Sequence, residues 1–328
     1  MARETILLSR QEIGRQIDVV DGIDAIERAM GAYEKGEDYL PAKAIFEIPV
    51  GEPAMAACIT GLTKAANLLS MKLGQERTNN PQRKLPTTNS WISCFDPLTG
   101  ELLMICDGSL PTMYRTAAAA AVGARQLSRP DSKTLAVIGA GQLGRECLRA
   151  VASVRPFTKI YLHDRFEDMA RTLAKELAGR VKAPIEVVTA EVACRAADVI
   201  VTATNSREPI VMSEWIRAGT HLSCMGADLH EKIECEMALL PRCRIFADKI
   251  EHALLRGEVS QAVEKGLLGK NCYAGSLGEV INGATGRQSA SEITMFDGVG
   301  IGIQDTTIVR TIYDQAVKQG LGQRMAFS

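Results

Sequence analysis

The sequence predicts an α/β protein that combines a doubly wound parallel sheet with a discontinuous α+β domain. Two patterns lead to this prediction. From residue 134 onward, strand-like and helix-like segments alternate regularly, and the first strand runs into a glycine-rich turn. Before residue 117, short strand-like runs follow one another with turn residues between them, which is typical of a mixed sheet. We therefore expect one domain from residues 1–117 and 306–328, and another from residues 118–305.

Composition and charge exclude several classes of protein. The 328 residues carry 38 Lys+Arg and 39 Asp+Glu, so no overall field attracts nucleic acid or an anionic membrane. No uncharged run approaches the roughly 18 apolar residues that span a bilayer, and the N-terminus lacks the layout of a signal peptide. The nine cysteines stand singly and the four histidines show no metal-ligand spacing. We expect reduced thiols, no metal and a cytoplasmic location.

The first domain is expected to open with a short strand at residues 6–8 and a helix in which apolar residues recur from Ile23 to Tyr33. Strand-like runs follow at residues 45–48, 55–59, 68–73, 90–95 and 102–106. An alanine-rich helix begins near Arg115, and its very small face suits a connection between the two domains. The last helix, residues 306–318, ends at Gly320 with no further strand, and we expect it to return to the first domain.

The second domain shows the regular alternation. Strands are expected near residues 134–138, 158–162, 185–189, 198–203, 220–224 and 244–247, with helices between the earlier ones. Such βα repetition predicts a parallel, doubly wound sheet.

The glycine turn after the first of these strands has the spacing G-x-G-x-x-G. Gly139 permits the turn, Gly141 lets a pyrophosphate approach the backbone, and Gly144 allows close packing of the following helix. Gln142 and Leu143 open that helix, whose free N–H groups and dipole attract a phosphate. The strand, turn and helix predict a Rossmann-type dinucleotide site, whereas an ordinary glycine-rich turn is the less favoured alternative.

The end of the second strand indicates which dinucleotide is preferred. Asp164 lies 20 residues after Gly144, where an acid accepts hydrogen bonds from ribose hydroxyls and repels a 2′-phosphate. This favours NAD(H) over NADP(H), although Arg165 could stack on adenine or meet a phosphate. Small and polar residues that would border the cofactor follow the fourth strand: Thr202, Thr204 and Asn205.

Three charged residues stand in otherwise apolar stretches, where a charge must be used or paired. They are Lys72 in a strand-like run, Arg115 at the start of the alanine-rich helix, and Asp228 after a buried-looking strand. Each also has a purely structural interpretation: a lysine whose ammonium reaches water, an arginine tied to a carbonyl, and an aspartate capping a helix.

Several motifs together resemble the ornithine cyclodeaminase/mu-crystallin family. They occur in the family's order and cover nearly the whole chain: Met-Lys-Leu at 71–73, Phe-Asp-Pro-Leu-Thr-Gly-Glu at 95–101, Thr-Met-Tyr-Arg-Thr-Ala-Ala-Ala at 112–119, Val-Ile-Gly-Ala-Gly at 137–141, Gly-Ala-Asp-x-x-x-Lys-x-Glu at 226–234, and Ile-Thr-Met-Phe at 293–296 with Gly-Val-Gly-Ile-Gly-Ile-Gln-Asp at 298–305. The resemblance implies an NAD-binding domain and a discontinuous domain for substrate binding and homodimer formation, with the substrate held between that domain and the nicotinamide. The family includes NAD-dependent cyclodeaminases, imine reductases, and alanine and opine-like dehydrogenases.

The resemblance also implies roles for individual residues. Arg115 matches the arginine that binds the substrate α-carboxylate, and Lys72 matches the lysine that contacts this carboxylate and the reacting nitrogen. Asp228 matches the acid/base aspartate. Lys43 falls where most members have an arginine, which keeps the charge but loses the bidentate fork.

Departures from the family pattern narrow the reaction. The ornithine enzyme holds the distal amine with a glutamate before a Met-Pro pair, whereas residues 56–60 here read Ala-Ala-Cys-Ile-Thr. The family's Phe-x-Ser-x-Gly loses its hydroxyl at Gly298. The polar, basic segment after Lys72 includes Gln75 and Arg77, which would hold a second carboxylate if they faced the pocket and would otherwise form a solvated loop.

The sequence therefore predicts an NAD(H)-dependent reductase of a small α-imino acid, with iminosuccinate to aspartate favoured and pyrroline-2-carboxylate or alanine/pyruvate next. One alternative is an ornithine cyclodeaminase that forms proline and ammonia. Another is a mu-crystallin-like protein that binds a ligand without turnover. A homodimer is expected, without nucleic-acid or membrane partners.

Overall fold

The structure, a computed structural model, describes residues 4–49, 54–77 and 79–326. Its strands are β1 (Thr5–Leu8), β2 (Ala44–Ile48), β3 (Ala54–Thr63), β4 (Leu68–Glu76), β5 (Thr88–Phe95), β6 (Leu102–Asp107), β7 (Thr134–Ile138), β8 (Lys159–His163), β9 (Ile185–Val187), β10 (Val199–Thr202), β11 (His221–Cys224), β12 (Cys243–Ala247), β13 (Tyr273–Ser276), β14 (Ile293–Asp297) and β15 (Gln323–Met325). Its α-helices are α1 (Arg10–Gln16), α2 (Ile23–Glu34), α3 (Ser109–Leu127), α4 (Gln142–Val154), α5 (Glu167–Leu177), α6 (Ala190–Ala196), α7 (Ile250–Arg256), α8 (Ser260–Glu264), α9 (Leu277–Ile281) and α10 (Gly302–Gln319).

The chain folds into two compact units. Unit 1 comprises Met1–Arg115 and Ile301–Ser328, and unit 2 comprises Thr116–Gly300. One boundary falls inside α3 and the other just before α10, in each case a few residues before the boundary expected from the sequence. No helix in the described part of the chain is long and apolar enough to cross a membrane.

Unit 1 is built on a seven-stranded sheet in the order β15-β1-β6-β5-β4-β3-β2, in which only β1 and β6 run parallel. Strand β4 alternates strictly at its start. Leu68, Ser70 and Lys72 are buried, whereas the residues between them are exposed. The helix α10 contacts β3, β4 and α2, and it buries most of its first three turns.

The prediction that no strand follows Gly320 was wrong. Gly320 ends α10 in the left-handed conformation, as a glycine readily does, and β15 then pairs antiparallel with β1. The three residues of β15 carry no apolar alternation that a sequence pattern could reveal. The strand forms because the edge of β1 offers it a partner.

Unit 2 is built on an eight-stranded, wholly parallel sheet in the order β13-β12-β14-β11-β10-β7-β8-β9. The predicted Rossmann-type, doubly wound class is confirmed. Two strands were missed, β13 and β14. The second of these lies between β11 and β12, and all five of its residues are buried. A polar loop precedes β14 and interrupts the βα alternation, so the alternation does not predict this strand.

Candidate functional site

The glycine turn of unit 2 has the geometry that its sequence predicts. Gly139 adopts φ +109°, and a Cβ there would lie 2.5 Å from the Ala203 carbonyl oxygen. A Cβ on Gly144 would lie 1.9 Å from the Gly139 oxygen, so no side chain fits. At Gly141, which caps α4, a Cβ would meet nothing within 4 Å. The first turn of α4 therefore begins at open space, as a bound phosphate requires.

A pocket of about 360 Å³ lies at the carboxyl ends of β7, β8 and β10. Since β7 pairs with β8 on one side and β10 on the other, this is where the order of the strands reverses. Open α/β sheets bind dinucleotides at this position. The lining residues are Ile138, Gly139, Gly141, His163, Asp164, Arg165, Phe166, Met169, Ala203, Thr204, Asn205, Ser206 and Ile210.

Asp164 is anchored to two loops at the edge of this pocket. Its Oδ2 accepts a hydrogen bond from the Ala140 N–H (2.7 Å), and its Oδ1 accepts one from the Phe166 N–H (2.9 Å). Each carboxylate oxygen keeps a further lone pair for a ligand hydroxyl. The guanidinium of Arg165 lies over the Phe166 ring, 4.6 Å from its centroid. These residues fit the ribose end of a dinucleotide.

The other expected cofactor residues divide into two groups. Thr204 and Asn205 line the pocket. Thr202 is instead fully buried, and its hydroxyl donates a hydrogen bond to Glu234 Oε2 at 2.6 Å. At the start of α4, Gln142 is exposed and Leu143 is partly buried.

Glu234 is a buried residue to which the sequence reasoning assigned no role. Its carboxylate also accepts hydrogen bonds from the Thr204 N–H (2.7 Å), the Thr204 hydroxyl (2.8 Å) and the Gly226 N–H (2.8 Å). Burial raises the pKa of Glu234, and these hydrogen bonds oppose the rise. Glu234 thus joins the loop that lines the pocket to the loop that carries Asp228. The sequence feature that could have indicated a role for Glu234 is its position between two apolar residues, Ile233 and Cys235.

Asp228 lies on the loop after β11, at the carboxyl edge of the parallel sheet. Its side chain is 57% exposed, and its Oδ1 accepts a hydrogen bond from Lys232 Nζ at 2.6 Å. The same ammonium lies 3.3 Å from Asn205 Oδ1, and so connects Asp228 to a residue that lines the pocket.

In unit 1, Lys72 and Arg115 meet at one carboxylate. Lys72 is buried, and its Nζ donates to both oxygens of Asp305 at 2.8 Å and to the Thr112 hydroxyl at 3.2 Å. Arg115 Nε lies 3.3 Å from Asp305 Oδ1, and its Nη1 donates to Gln304 Oε1 at 3.3 Å. The two cations expected at a substrate carboxylate are therefore neighbours in the folded chain.

Lys43 belongs to the same region of unit 1. Ala44 on β2 pairs with Cys58, and the next residue of β3, Ile59, pairs with Lys72. Continuing this register places Lys43 on the face of the sheet that carries Lys72. The positive charge of Lys43 also contributes to lowering the pKa of Asp305.

Asp305 is the second residue that sequence reasoning missed. Burial by itself would raise the pKa of its carboxyl, but the charges of Lys72 and Arg115 outweigh burial and hold the pKa below its usual value. Two features of the sequence could have indicated the role of Asp305. A buried lysine needs a counterion, and Asp305 stands in the apolar and hydroxyl-rich stretch at the start of α10.

Gln75 does not join this cluster. It lies an odd number of residues from Lys72 on β4, so its side chain points to the opposite face of the sheet. Arg77 follows the end of β4. The segment after Lys72 therefore places Gln75 away from the Lys72 face.

The fold and these residues define the class: an α/β protein with a Rossmann-type unit and a separate α+β unit that buries a Lys–Asp–Arg cluster. The chain belongs to the ornithine cyclodeaminase/mu-crystallin family, whose sequence model matches residues 3–320.

Three solved structures resemble the whole chain. An archaeal alanine dehydrogenase, described as a dimer with bound NAD, is 31% identical, with 99% of this chain and 100% of that chain covered and a TM-score of 0.93. The Thermococcus litoralis Δ1-pyrroline-2-carboxylate reductase, in complex with NADH and L-proline, is 28% identical over 97% and 99% of the chains, with a TM-score of 0.92. The Paracoccus denitrificans iminosuccinate reductase, in complex with NAD⁺, is 30% identical over 98% and 99%, with a TM-score of 0.90.

Proposed function

We propose that this protein is an NAD(H)-dependent reductase that converts a small α-imino acid into the L-amino acid. The observation that carries the proposal is the buried cluster of Lys72, Arg115 and Asp305, in which two cations share one carboxylate. An anion site of this kind suits a substrate carboxylate, and the relatives named above act on amino or imino acids.

The cofactor is proposed to bind along the pocket of unit 2. Gly139 and Gly141 would receive the pyrophosphate, and Asp164 would accept the ribose hydroxyls, which favours NAD(H) over NADP(H). When bound, the nicotinamide supplies the hydride. The cofactors in the relatives' structures, NAD, NADH and NAD⁺, support this assignment.

The substrate carboxylate is proposed to bind Arg115, Lys72 and Lys43. Arg115 contributes a planar fork that suits two carboxylate oxygens, whereas the lysines contribute point charges. Asp228 is the proposed acid/base residue, and Lys72 is proposed to contact the substrate nitrogen.

The favoured substrate is iminosuccinate, with pyrroline-2-carboxylate and the imine of pyruvate next. Three cations, Lys43, Lys72 and Arg115, act on the carboxylate of Asp305, so positive charge exceeds negative charge within this cluster. Such a surplus favours a dicarboxylate over a substrate that carries a distal ammonium. For the same reason, cyclodeamination of ornithine is less favoured.

The test is a screen of NADH oxidation with iminosuccinate, pyrroline-2-carboxylate, piperideine-2-carboxylate, and pyruvate with ammonia. A reductase consumes NADH in proportion to the amino acid formed, whereas a cyclodeaminase releases ammonia without net NADH consumption. We expect Asp228→Asn to reduce kcat by roughly 100-fold or more, because general acid–base catalysis contributes about that much.

Glu231→Gln is the matched control, since Glu231 is an exposed acid on the same loop that pairs with Arg207 at 3.6 Å. It should leave NADH oxidation unchanged. If Asp228→Asn retained full activity on every active substrate, the assigned role of Asp228 would be disproved.

We further propose a homodimer formed through the exposed face of the unit 1 sheet, in a protein located in the cytoplasm. Leu69, Met71 and Leu73 on β4 are 37–42% exposed, and Trp91, which pairs with Leu73 across the strands, is 62% exposed. Apolar side chains that adjoin in this way mark an interaction surface.

The double substitution Leu73→Lys/Trp91→Glu should give a monomer in analytical ultracentrifugation. Leu255→Lys, at an exposed leucine of unit 2, should not change the mass. An unchanged mass for the double variant would count against this interface.

A further inference from the structure

Asp305 contacts both proposed carboxylate-binding cations, and it is not among the residues to which the family resemblance assigns a role. We propose that Asp305 is a positioning residue, which keeps Lys72 protonated and holds Lys72 and Arg115 in one arrangement ready for an incoming carboxylate. The inference deepens the proposed function and rests on it for the identity of the ligand. The geometry on which it depends lies entirely within unit 1.

The position of Asp305 is fixed by close packing of α10 on β3. A Cβ on Gly302, the first residue of α10, would lie 2.2 Å from the Thr60 carbonyl oxygen, so the helix start rests directly on the strand backbone. A Cβ on Gly61 would lie 2.5 Å from the Thr306 hydroxyl. The Thr306 hydroxyl also bonds to Ser70 at 2.7 Å. These contacts leave the first turn of α10 little freedom to move away from β4.

The two oxygens of Asp305 are directed at the cations. Both accept from Lys72 Nζ at 2.8 Å, which fixes the ammonium, and Oδ1 also lies 3.3 Å from Arg115 Nε. Lys72 has three donors. Asp305 accepts from two of them, and the Thr112 hydroxyl accepts the longest of the three bonds, at 3.2 Å, which is the donor that a substrate carboxylate would take over. A carboxylate that bound beside Asp305 would meet cations already oriented, which reduces the entropy lost on binding.

Asp305 also favours the charged form of Lys72. The pKa of Lys72 lies below its usual value because burial lowers it and Arg115 acts in the same direction, whereas the carboxylate of Asp305 opposes this fall. The neighbours of Lys72 on β3 and β5 are Ile59 and Ile92, which carry no charge, and Lys43 adds a further positive charge nearby. Without Asp305, Lys72 would lose its proton at a lower pH and would then no longer attract a carboxylate.

The test compares the pH dependence of kcat/KM in Asp305→Asn, Asp305→Glu and Thr306→Val. Asp305→Asn should reduce kcat/KM by about 10- to 100-fold, as expected for losing a hydrogen bond to a charged group. Its activity should also decline at a lower pH on the alkaline side than that of the wild type. Asp305→Glu keeps the charge, so its alkaline limb should stay near the wild-type position even if the rate falls.

Thr306→Val is the matched control, because it removes a buried hydroxyl contact between the same helix and the same strand without changing a charge. Its alkaline limb should not move. An Asp305→Asn limb at the wild-type position, or an equal displacement in Thr306→Val, would show that Asp305 is merely structural.

A binding measurement separates this inference from the proposed reaction. Pyruvate without ammonia serves as the carboxylate probe, and its affinity is measured by calorimetry across pH. We expect the wild-type affinity to persist to a higher pH than that of Asp305→Asn, whether or not the protein reduces imines. Identical pH dependence in the two proteins would overturn the inference, while the NADH screen would judge the proposed function separately.

Discussion

Each unit buries carboxylates, and Asp305 of unit 1 differs from Glu234 and Glu258 of unit 2 in the groups that surround it. In unit 1, Asp305 is surrounded by cations, and its pKa lies below the usual value. In unit 2, burial raises the pKa of Glu234 and raises that of Glu258 further, where the neighbouring charge of Glu234 adds to the effect. The hydrogen bonds that the Glu234 carboxylate accepts come from backbone N–H groups and threonine hydroxyls.

Three buried acids of unit 2, Glu234, Glu258 and Asp297, form a connected network. Glu258 accepts from the backbone N–H groups of Glu234 and Cys235, at 2.9 and 2.6 Å. Asp297 in turn accepts from the Glu258 N–H at 3.0 Å and from the Tyr273 hydroxyl at 2.7 Å. These N–H and hydroxyl donors hold the loops in place without adding positive charge. The comparison indicates that the unit 1 cluster is built to attract an anion, whereas the unit 2 network is built to fix the loops around the pocket.

The largest expected effect comes from removing the Lys72 cation of unit 1. Lys72→Met leaves Asp305 buried with less compensation, and breaking a buried pair in this way costs about 3–5 kcal/mol of unfolding free energy. Replacing both partners, as in Lys72→Met/Asp305→Leu, should restore most of this loss. Urea denaturation at pH 7 measures both variants. If the double variant were no more stable than the single one, the unpaired charge would not be the cause.

A smaller effect is expected on the pH dependence of stability, to which the buried acid Asp297 of unit 2 contributes. Burial raises the pKa of Asp297 to about 7, above the value of about 3.9 expected in the unfolded chain. The protonated form therefore favours folding, and this contribution is lost as the pH rises from about 4 through 7. The resulting change in the free energy of unfolding is at most about 4 kcal/mol, at roughly 1.4 kcal/mol per pKa unit.

Urea unfolding at several pH values between 5 and 8 tests this sign. The stability of Asp297→Asn should depend less steeply on pH than that of the wild type, whereas Asp131→Asn, at a 79% exposed acid, should follow the wild type. Asp305 contributes with the opposite sign, since its stabilisation is present at neutral pH and is lost only as the pH falls through its lowered pKa. Parallel slopes for Asp297→Asn and the wild type would contradict the assignment.

The smallest effect is expected from Glu234→Gln. The amide keeps the shape of the side chain, but its NH₂ group would face N–H and O–H donors from which a carboxylate oxygen accepts hydrogen bonds. This mismatch should lower the free energy of unfolding by about 1–3 kcal/mol. Because Thr204 and Gly226 lose their common anchor, the Kd for NADH, measured by fluorescence titration, should rise by roughly 10-fold, or about 1.4 kcal/mol. Glu236→Gln, two residues further along the chain, is the control. An unchanged Kd for Glu234→Gln would show that the network does not support the pocket.

The sequence by itself determined the features that depend on local patterns. The run into Gly139, Gly141 and Gly144 indicated the turn, because Gly139 adopts a positive φ and the backbone of the same turn leaves no room for a side chain on Gly144. The βα alternation indicated the parallel sheet, because hydrophobic period reports local structure directly. Lys72 and Arg115 stood out as charges in apolar surroundings, but the sequence did not indicate what they would contact.

The tertiary structure alone decided the partners. Lys72 and Asp305 are 233 residues apart, and a buried lysine requires a counterion without specifying which acid supplies it. Packing of α10 on β3 makes that choice, just as the parallel neighbours β10 and β11 bring Thr202 and Gly226 to Glu234. The edge strand β15 and the insertion of β14 between β11 and β12 arise in the same way, because strand pairing depends on the partner edge that the rest of the chain provides.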